Sequence, residues 1–316
     1  MKEYKVSIAM CTYNGEKYLE EQMNSLVNQS YKPYEIVICD DFSTDNTLNI
    51  LYSFQSRYKD IKIKIIKNDK NLGVIKNFQK ALLNCTGDII FLSDQDDIWL
   101  REKIHKVVNE FKKNKNIKAV FTNAYLIDEN SVEQKDTLWD KIKFKENMRN
   151  KFKNGQGIDV LLKKDVITGC TLAFDRSYLK DILPLNENFI HDAWIGINLE
   201  LNSCLGLIDE PLIKYRIHSS QQIGLNKSKR KKVTVNDRYR NALIKLNCIL
   251  EHSKNLSSLD VEKLGKVYEK KVFYEDRCEP SLKNITMHFL RGNYFRYTSG
   301  FKAFVLDLII ALRRKL

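Results

Sequence analysis

Apolar positions along the first 130 residues fall into short runs separated by longer stretches of helical period. KVSIAM (5–10), EIVICD (35–40) and DIIFLSD (88–94) are compact apolar segments, and IKIKII (61–66) alternates. Between them, EKYLEEQMNSLVNQ places Tyr18, Leu19, Met23, Leu26 and Val27 on one helical face. TDNTLNILYSFQSRY, NLGVIKNFQKALLNC and REKIHKVVNEFKKN are further helices, the first with Thr44 as its expected cap. KAVFTNAYLID is a fifth strand. Strands alternating with helices of this length predict an α/β fold with a mostly parallel central sheet covered on both faces. Residues 158–217 continue it: VITGCTLAFDR is strand-like with Gly169 interrupting, HDAWIGINLELN is helical and PLIKYRIH is a last strand. After the polar stretch SSQQIGLNKSKRKK come helical segments near 236–256, 258–279, 281–291 and 299–315. No internal repeat is visible.

In parallel sheets ligands bind at the carboxyl ends of the strands. Three of these ends carry chemistry: CTYNG, DDFSTD and SDQDD. The first turn has one glycine and no G-x-G-x-x-G, which disfavours a dinucleotide site, and no G-x-x-x-x-G-K-[ST] phosphate loop is present. Asp94, Asp96 and Asp97 would repel one another unless a cation such as Mg²⁺ or Mn²⁺ sat among them. They equally suit a solvated turn in which Asp96 caps the next helix. Asp40 and Ser43 suit a turn. Asp41 has no packing use and could accept the N3–H of a uracil or thymine ring; Tyr13 could stack on that base, though a lone aromatic in a loop more often packs. Trp99 and Trp194 read as packing, and His191 as a residue that shapes its turn.

Composition changes the picture in one respect. The chain has 316 residues, 43% of them hydrophobic, and a formal charge of +13. Residues 219–316 hold 21 Lys+Arg against 9 Asp+Glu, while residues 1–218 hold 32 against 31. This implies two regions, 1–218 and a basic helical 219–316. Nucleic acid is not the expected partner, because no recognition module is visible. SGFKAFVLDLIIALRRKL is too short to span a bilayer. It suits an interfacial helix beside anionic lipid, or a helix that packs or forms a homodimer. Seven dispersed cysteines without a C-x-x-C pair, and a start that lacks a signal-peptide pattern, point to the cytoplasm.

The ordered set SIAMCTYNGEKYLEEQMNSLVNQ, EIVICDDFSTDNT, NLGVIKNFQKAL, GDIIFLSDQDDIWLREKI, VITGCTLAF, HDAW and YRIH resembles inverting family-2 glycosyltransferases of the GT-A fold. The DQDDIW and HDAW variants are similar to a rhamnosyltransferase-like subgroup. The resemblance implies a metal-dependent hexosyltransferase in cell-envelope polysaccharide biosynthesis, using a dTDP- or UDP-linked donor, first of all dTDP-rhamnose. The acceptor would be a glycan or lipid-linked glycan, met as a peripheral protein at the inner face of the plasma membrane. By the same resemblance, Tyr13 and Asp41 bind the base beside Cys11, Thr12 and Asn14. Lys76 and Asn77 contact the donor, Asp94 lies near the ribose, and Gly169 and Cys170 line the sugar pocket. Asp96 is the implied ligand of Mn²⁺ or Mg²⁺, with Asp97 a second or supporting one. His218 ligates the metal or bonds to phosphate. Asp192 is the general base. A nucleotidyltransferase, or a basic binding protein on a degenerate transferase fold, are the competing readings.

Overall fold

The computed structural model describes residues 3–202, 204–219, 221 and 234–313. Arg314, Lys315 and the KSKRKK run lie outside the described residues. The strands are β1 (Val6–Thr12), β2 (Glu35–Asp40), β3 (Lys62–Lys67), β4 (Ile89–Ser93), β5 (Ile98–Trp99), β6 (Ile117–Ile127), β7 (Glu133–Thr137), β8 (Leu172–Asp175) and β9 (Cys204–Arg216). The helices of the sheet region are α1 (Glu16–Val27), α2 (Thr47–Arg57), α3 (Val74–Leu83), α4 (Lys103–Lys113), α5 (Leu138–Lys141), α6 (Glu146–Lys153), α7 (Gly157–Leu161), α8 (Leu179–Ile182) and α9 (His191–Asn202). The chain closes with α10 (Val235–Ser253), α11 (Val261–Cys278), α12 (Leu282–Leu290), α13 (Asn293–Tyr297) and α14 (Phe301–Arg313).

One sheet runs in the order β3-β2-β1-β4-β8-β6-β9-β5, with β7 against β6. β1, β2, β3, β4, β6 and β9 share a direction, and β5, β7 and β8 oppose it. All of β2 is buried, as its unbroken apolar run requires of a strand covered on both faces. Register positions the chemistry: Thr12 pairs with Asp40 and Met10 with Ser93, so the ends of β1, β2 and β4 stand side by side. β5 then pins the segment after the acids to β9, with Ile98 opposite Lys214, and this brings 216–218 back over residues 94–97.

Several local expectations are corrected. Thr44 does not cap α2; the helix starts at Thr47 behind Asn46, and Asp45 instead accepts from the Thr47 and Glu16 amides. Asp96 caps nothing, because α4 begins only at Lys103. The strand-like 166–176 is extended only at Leu172–Asp175, since Gly169–Thr171 closes a 3₁₀ turn. β9 starts seven residues before Pro211 and ends at Arg216, leaving His218 beyond the strand. Neither β5 nor β7 has a period long enough to read.

The C-terminal helices share a continuous apolar core with the sheet region through Leu246, Ile249, Val267 and Phe273. Polar ties reinforce this: Lys263 pairs with buried Glu200 at 2.8 Å, and the Asp260 amide donates to the Leu201 carbonyl at 2.9 Å.

Candidate functional site

A cleft of about 440 Å³ opens at the carboxyl ends of β1, β2 and β4. Of the fourteen residues to which the resemblance gave a site role, Cys11, Thr12, Tyr13, Asn14, Asp41, Asn77, Asp94, Asp96, Gly169, Asp192 and His218 line it. Three do not. Lys76 points to the rim, where its ammonium pairs with Glu187 at 2.9 Å. Cys170 and Asp97 are buried beneath the floor.

The loops after β1 and β2 are knitted together. Asn14 and Gly15 donate their amides to Ser43 Oγ and Thr47 Oγ1, and Asn14 Oδ1 accepts from the Thr44 amide. Asn14 and Phe42 adopt positive φ, of 48° and 69°, a strain that the network holds in place. Asp40 turns inward to the Ser43 amide and hydroxyl, so it does shape the turn. Asp41 has a different duty. Its Oδ1 accepts from Asn68 Nδ2 at 2.9 Å and the Leu72 amide at 2.7 Å, and its Oδ2 accepts from the Gly73 amide at 2.9 Å. A carboxylate offers about four acceptor positions. One therefore remains open, on Oδ2, at the wall of the cleft.

Gln95, the unassigned residue of the acid cluster, clasps the Tyr13 backbone, accepting from its amide at 2.8 Å and donating to its carbonyl at 3.1 Å. Gly15 makes the close approach possible, because a Cβ there would lie 2.3 Å from Gln95 Oε1.

Asp94 is pushed well above the usual carboxylate range, by burial first and then by Asp97, Asp96 and Asp192. Asp97 is pushed up to about 7, again by burial and then Asp96. Asp97 Oδ1 accepts from the Arg216 amide at 3.1 Å, whereas its Oδ2 is buried with no hydrogen-bond partner. Asp96 Oδ2 lies 2.8 Å from His218 Nε2, and the His218 ring rests 4.8 Å from that of Tyr18. Donor atoms of Asp94, Asp97 and Cys170 lie within 4.8 Å of one another. Burial keeps that thiol protonated, so it is a poor partner for a hard cation. The excess of carboxylates over cations and the orphaned Asp97 oxygen fit a divalent ion bound by oxygen and imidazole.

Lys103, fully buried, is the cation beneath this cluster. Its Nζ donates to the Cys170 carbonyl at 2.6 Å and sits 3.4 Å from the Trp99 ring centre, and burial pulls its pKa down to about 7. Arg216 braces the site from behind. Its Nε donates to the Asp96 carbonyl at 2.7 Å, and its guanidinium pairs with Glu21 and lies over Tyr18. The sequence pattern gave no signal for Gln95 or Lys103, and it held Arg216 inside YRIH without a role.

Asp192 stands in the first turn of α9 and lines the cleft. Its Oδ2 accepts from the Gly169 amide at 2.9 Å and its Oδ1 from the Ala193 amide at 2.7 Å; burial still pushes it up to about 6. Gly169 is required by proximity, because a Cβ would lie 2.6 Å from His191 Nε2. His191 stacks on Phe78 at 4.0 Å, is held neutral by burial and lines the cleft with neither ring nitrogen hydrogen-bonded.

The strand-end cleft thus holds a crowded acid cluster, the amide-held carboxylate Asp41 and, on a separate element, the raised carboxylate Asp192. Comparison with known proteins gives the family. Residues 7–183 match the model of Glycosyl transferase family 2. The chain belongs to that family. It is 30% identical over 251 residues to the dTDP-rhamnosyl transferase RfbG of Shigella flexneri, covering 75% of this chain and 83% of that protein. It is also 30% identical over 233 residues to the UDP-Glc:alpha-D-GlcNAc-diphosphoundecaprenol beta-1,3-glucosyltransferase WfgD of Escherichia coli, covering 72% and 83%. Among solved structures, TarS of S. aureus in complex with UDP-GlcNAc superposes with a TM-score of 0.60 at 20% identity, covering 86% of this chain and 72% of that one. A mannosyltransferase from Pyrobaculum calidifontis in complex with GDP-Man and Mn²⁺ gives 0.57 at 13% identity, covering 100% and 89%. The fold is GT-A, and the protein is a glycosyltransferase of the family that uses nucleotide-sugar donors.

Proposed function

We propose that the chain is an inverting hexosyltransferase. It moves a sugar from a dTDP- or UDP-linked donor, first of all dTDP-rhamnose, to a hydroxyl of a growing cell-surface polysaccharide or lipid-linked glycan. The observation that carries this reading is Asp192: a carboxylate in the same cleft as the acid cluster but on another element, gripped by two amides and raised to about 6. Such a group is ionised at neutral pH yet more basic than an ordinary carboxylate, as general-base catalysis favours.

The donor base lies against Tyr13, and its N3–H goes to the open position on Asp41 Oδ2. Cys11, Thr12, Asn14 and Asn77 flank it, and Asp94 takes the ribose. Asp96 and His218 would hold Mn²⁺ or Mg²⁺, with Asp97 behind them; such an ion neutralises charge on the leaving diphosphate. The acceptor oxygen attacks the anomeric carbon from the face opposite the diphosphate. Asp192 takes its proton, the carbon–oxygen bond to the diphosphate breaks, and the nucleoside diphosphate leaves. Gly169 lets the backbone approach the sugar closely, with Cys170 beneath it. Lys76 reaches the donor only by leaving Glu187. The reaction belongs on the cytoplasmic side, where nucleotide sugars are made.

A panel of dTDP-, UDP- and GDP-sugars tests this directly. Binding by calorimetry is expected to be much tighter with Mn²⁺ or Mg²⁺ than with chelator, and Asp96→Ala is expected to remove most of the difference. Product of inverted anomeric configuration supports the mechanism. Equal binding with and without metal, or a retained configuration, overturns it.

A further inference from the structure

Helix α14 is built the wrong way round for a helix facing water. Its buried positions are Ala303, Asp307 and Ala311, two small residues and the only acid after residue 280. Asp307 is wholly buried. It takes the Arg277 guanidinium at 2.6 Å and the hydroxyls of Tyr239 and Tyr294 at 2.6 and 2.9 Å. The large side chains point out instead: Phe301, Leu306, Ile309 and Leu312 are exposed, Phe301 by 60%. The apolar surface continues onto the neighbouring helices. Phe301 and exposed Phe295 both pack against Phe289 of α12, whose Leu290 is 80% exposed.

The charges on this surface have one sign. Arg296 pairs with Glu269, but Lys283, Arg291, Lys302 and Arg313 have no acidic partner among the described residues. Residues 281–316 hold seven Lys+Arg, and their one acid is spent inside.

We propose that this face of α12–α14 docks on an anionic lipid bilayer. At 1.5 Å per residue the thirteen-residue α14 is about 20 Å long, short of the roughly 30 Å of a hydrocarbon core, and no helix of the described residues is long and apolar enough to cross a membrane. It lies in the interface, with its apolar stripe in the acyl boundary and its cations at the headgroups. Charge selects lipid over a second copy. A two-fold interface sets a patch against itself, and here cations would meet cations with no acid between them. The surface is separate from the cleft, so the proposal stands independently of the donor and acceptor.

The test uses full-length protein and phosphatidylcholine vesicles with and without a quarter of phosphatidylglycerol. Trp99, Trp139 and Trp194 are all buried, so Phe301→Trp adds a surface reporter. With anionic vesicles its emission is expected to shift to the blue and to be quenched by brominated acyl chains. Adding Ile309→Glu and Leu312→Glu is expected to abolish both effects without changing the circular dichroism. Arg291→Gln with Lys302→Gln is expected to weaken binding about 25-fold, about five-fold for each cation. No quenching by anionic vesicles at low salt, equal quenching in neutral ones, or a blue shift that follows protein concentration without vesicles would each overturn the proposal, the last in favour of a dimer.

Discussion

At the end of β4, Asp94, Asp96 and Asp97 crowd within four residues, with buried Lys103 as the cation below them and one Asp97 oxygen unpartnered. In the C-terminal helices Asp307 is buried alone, and every hydrogen bond it can accept from Arg277, Tyr239 and Tyr294 is made. Burial alone does not separate the two regions; matching does. A carboxylate with its cation and donors in place is a structural peg. Carboxylates left in excess, raised first by burial and then by one another, leave room for an added positive charge.

The comparison breaks most sharply in the matched region. Arg277→Met leaves Asp307 buried without its cation, and removing one partner of such a pair costs about 3–5 kcal/mol. Urea denaturation should show a loss of that size. A loss under about 1 kcal/mol would mean that Asp307 is held by the tyrosines alone.

Asp192→Asn keeps the shape and removes the basicity. Turnover should fall at least ~100-fold, with nucleotide binding nearly unchanged. The wild-type profile of kcat/KM, measured at saturating divalent cation, carries the same information. Asp192 sits at about 6, so the active, ionised form is lost as pH falls through that value, and the rate should drop about tenfold per unit below it. The variant should lack this limb.

The smallest effect sharpens the contrast by its sign. A raised carboxylate pKa means that the folded chain holds the proton more tightly than the unfolded one, so ionisation above about pH 4 costs stability. Asp94 is raised by burial and by its neighbours. Without metal at pH 7, Asp94→Asn should leave the thermal midpoint unchanged or slightly higher, the opposite of Arg277→Met. A clear fall would place Asp94 among the structural pegs.

Local period and strand-end chemistry made most of the sheet region legible. EIVICD and DIIFLSD are strands because both faces are covered, and Asp41, Asp94 and Asp96 after them stand at the cleft because parallel strands put their carboxyl ends on one side. α9 runs over the residues of HDAWIGINLELN, with Asp192 in its first turn. Tertiary structure alone decided what each acid does. It turned Asp41 onto the 72–73 amides, sent Asp97 under the floor and left Asp96 beside His218. It set Gln95 on the Tyr13 backbone and Arg216 on Glu21, 195 residues away in sequence. It also reversed α14: the run FKAFVLDLII reads as an apolar stripe, but Arg277 and two tyrosines drew the side with Asp307 inward and left the stripe outside. Periodicity reports how side chains are spaced around their own element. Which of them face a partner depends on the register of distant segments, and a buried charge goes where its counter-charge and donors already stand.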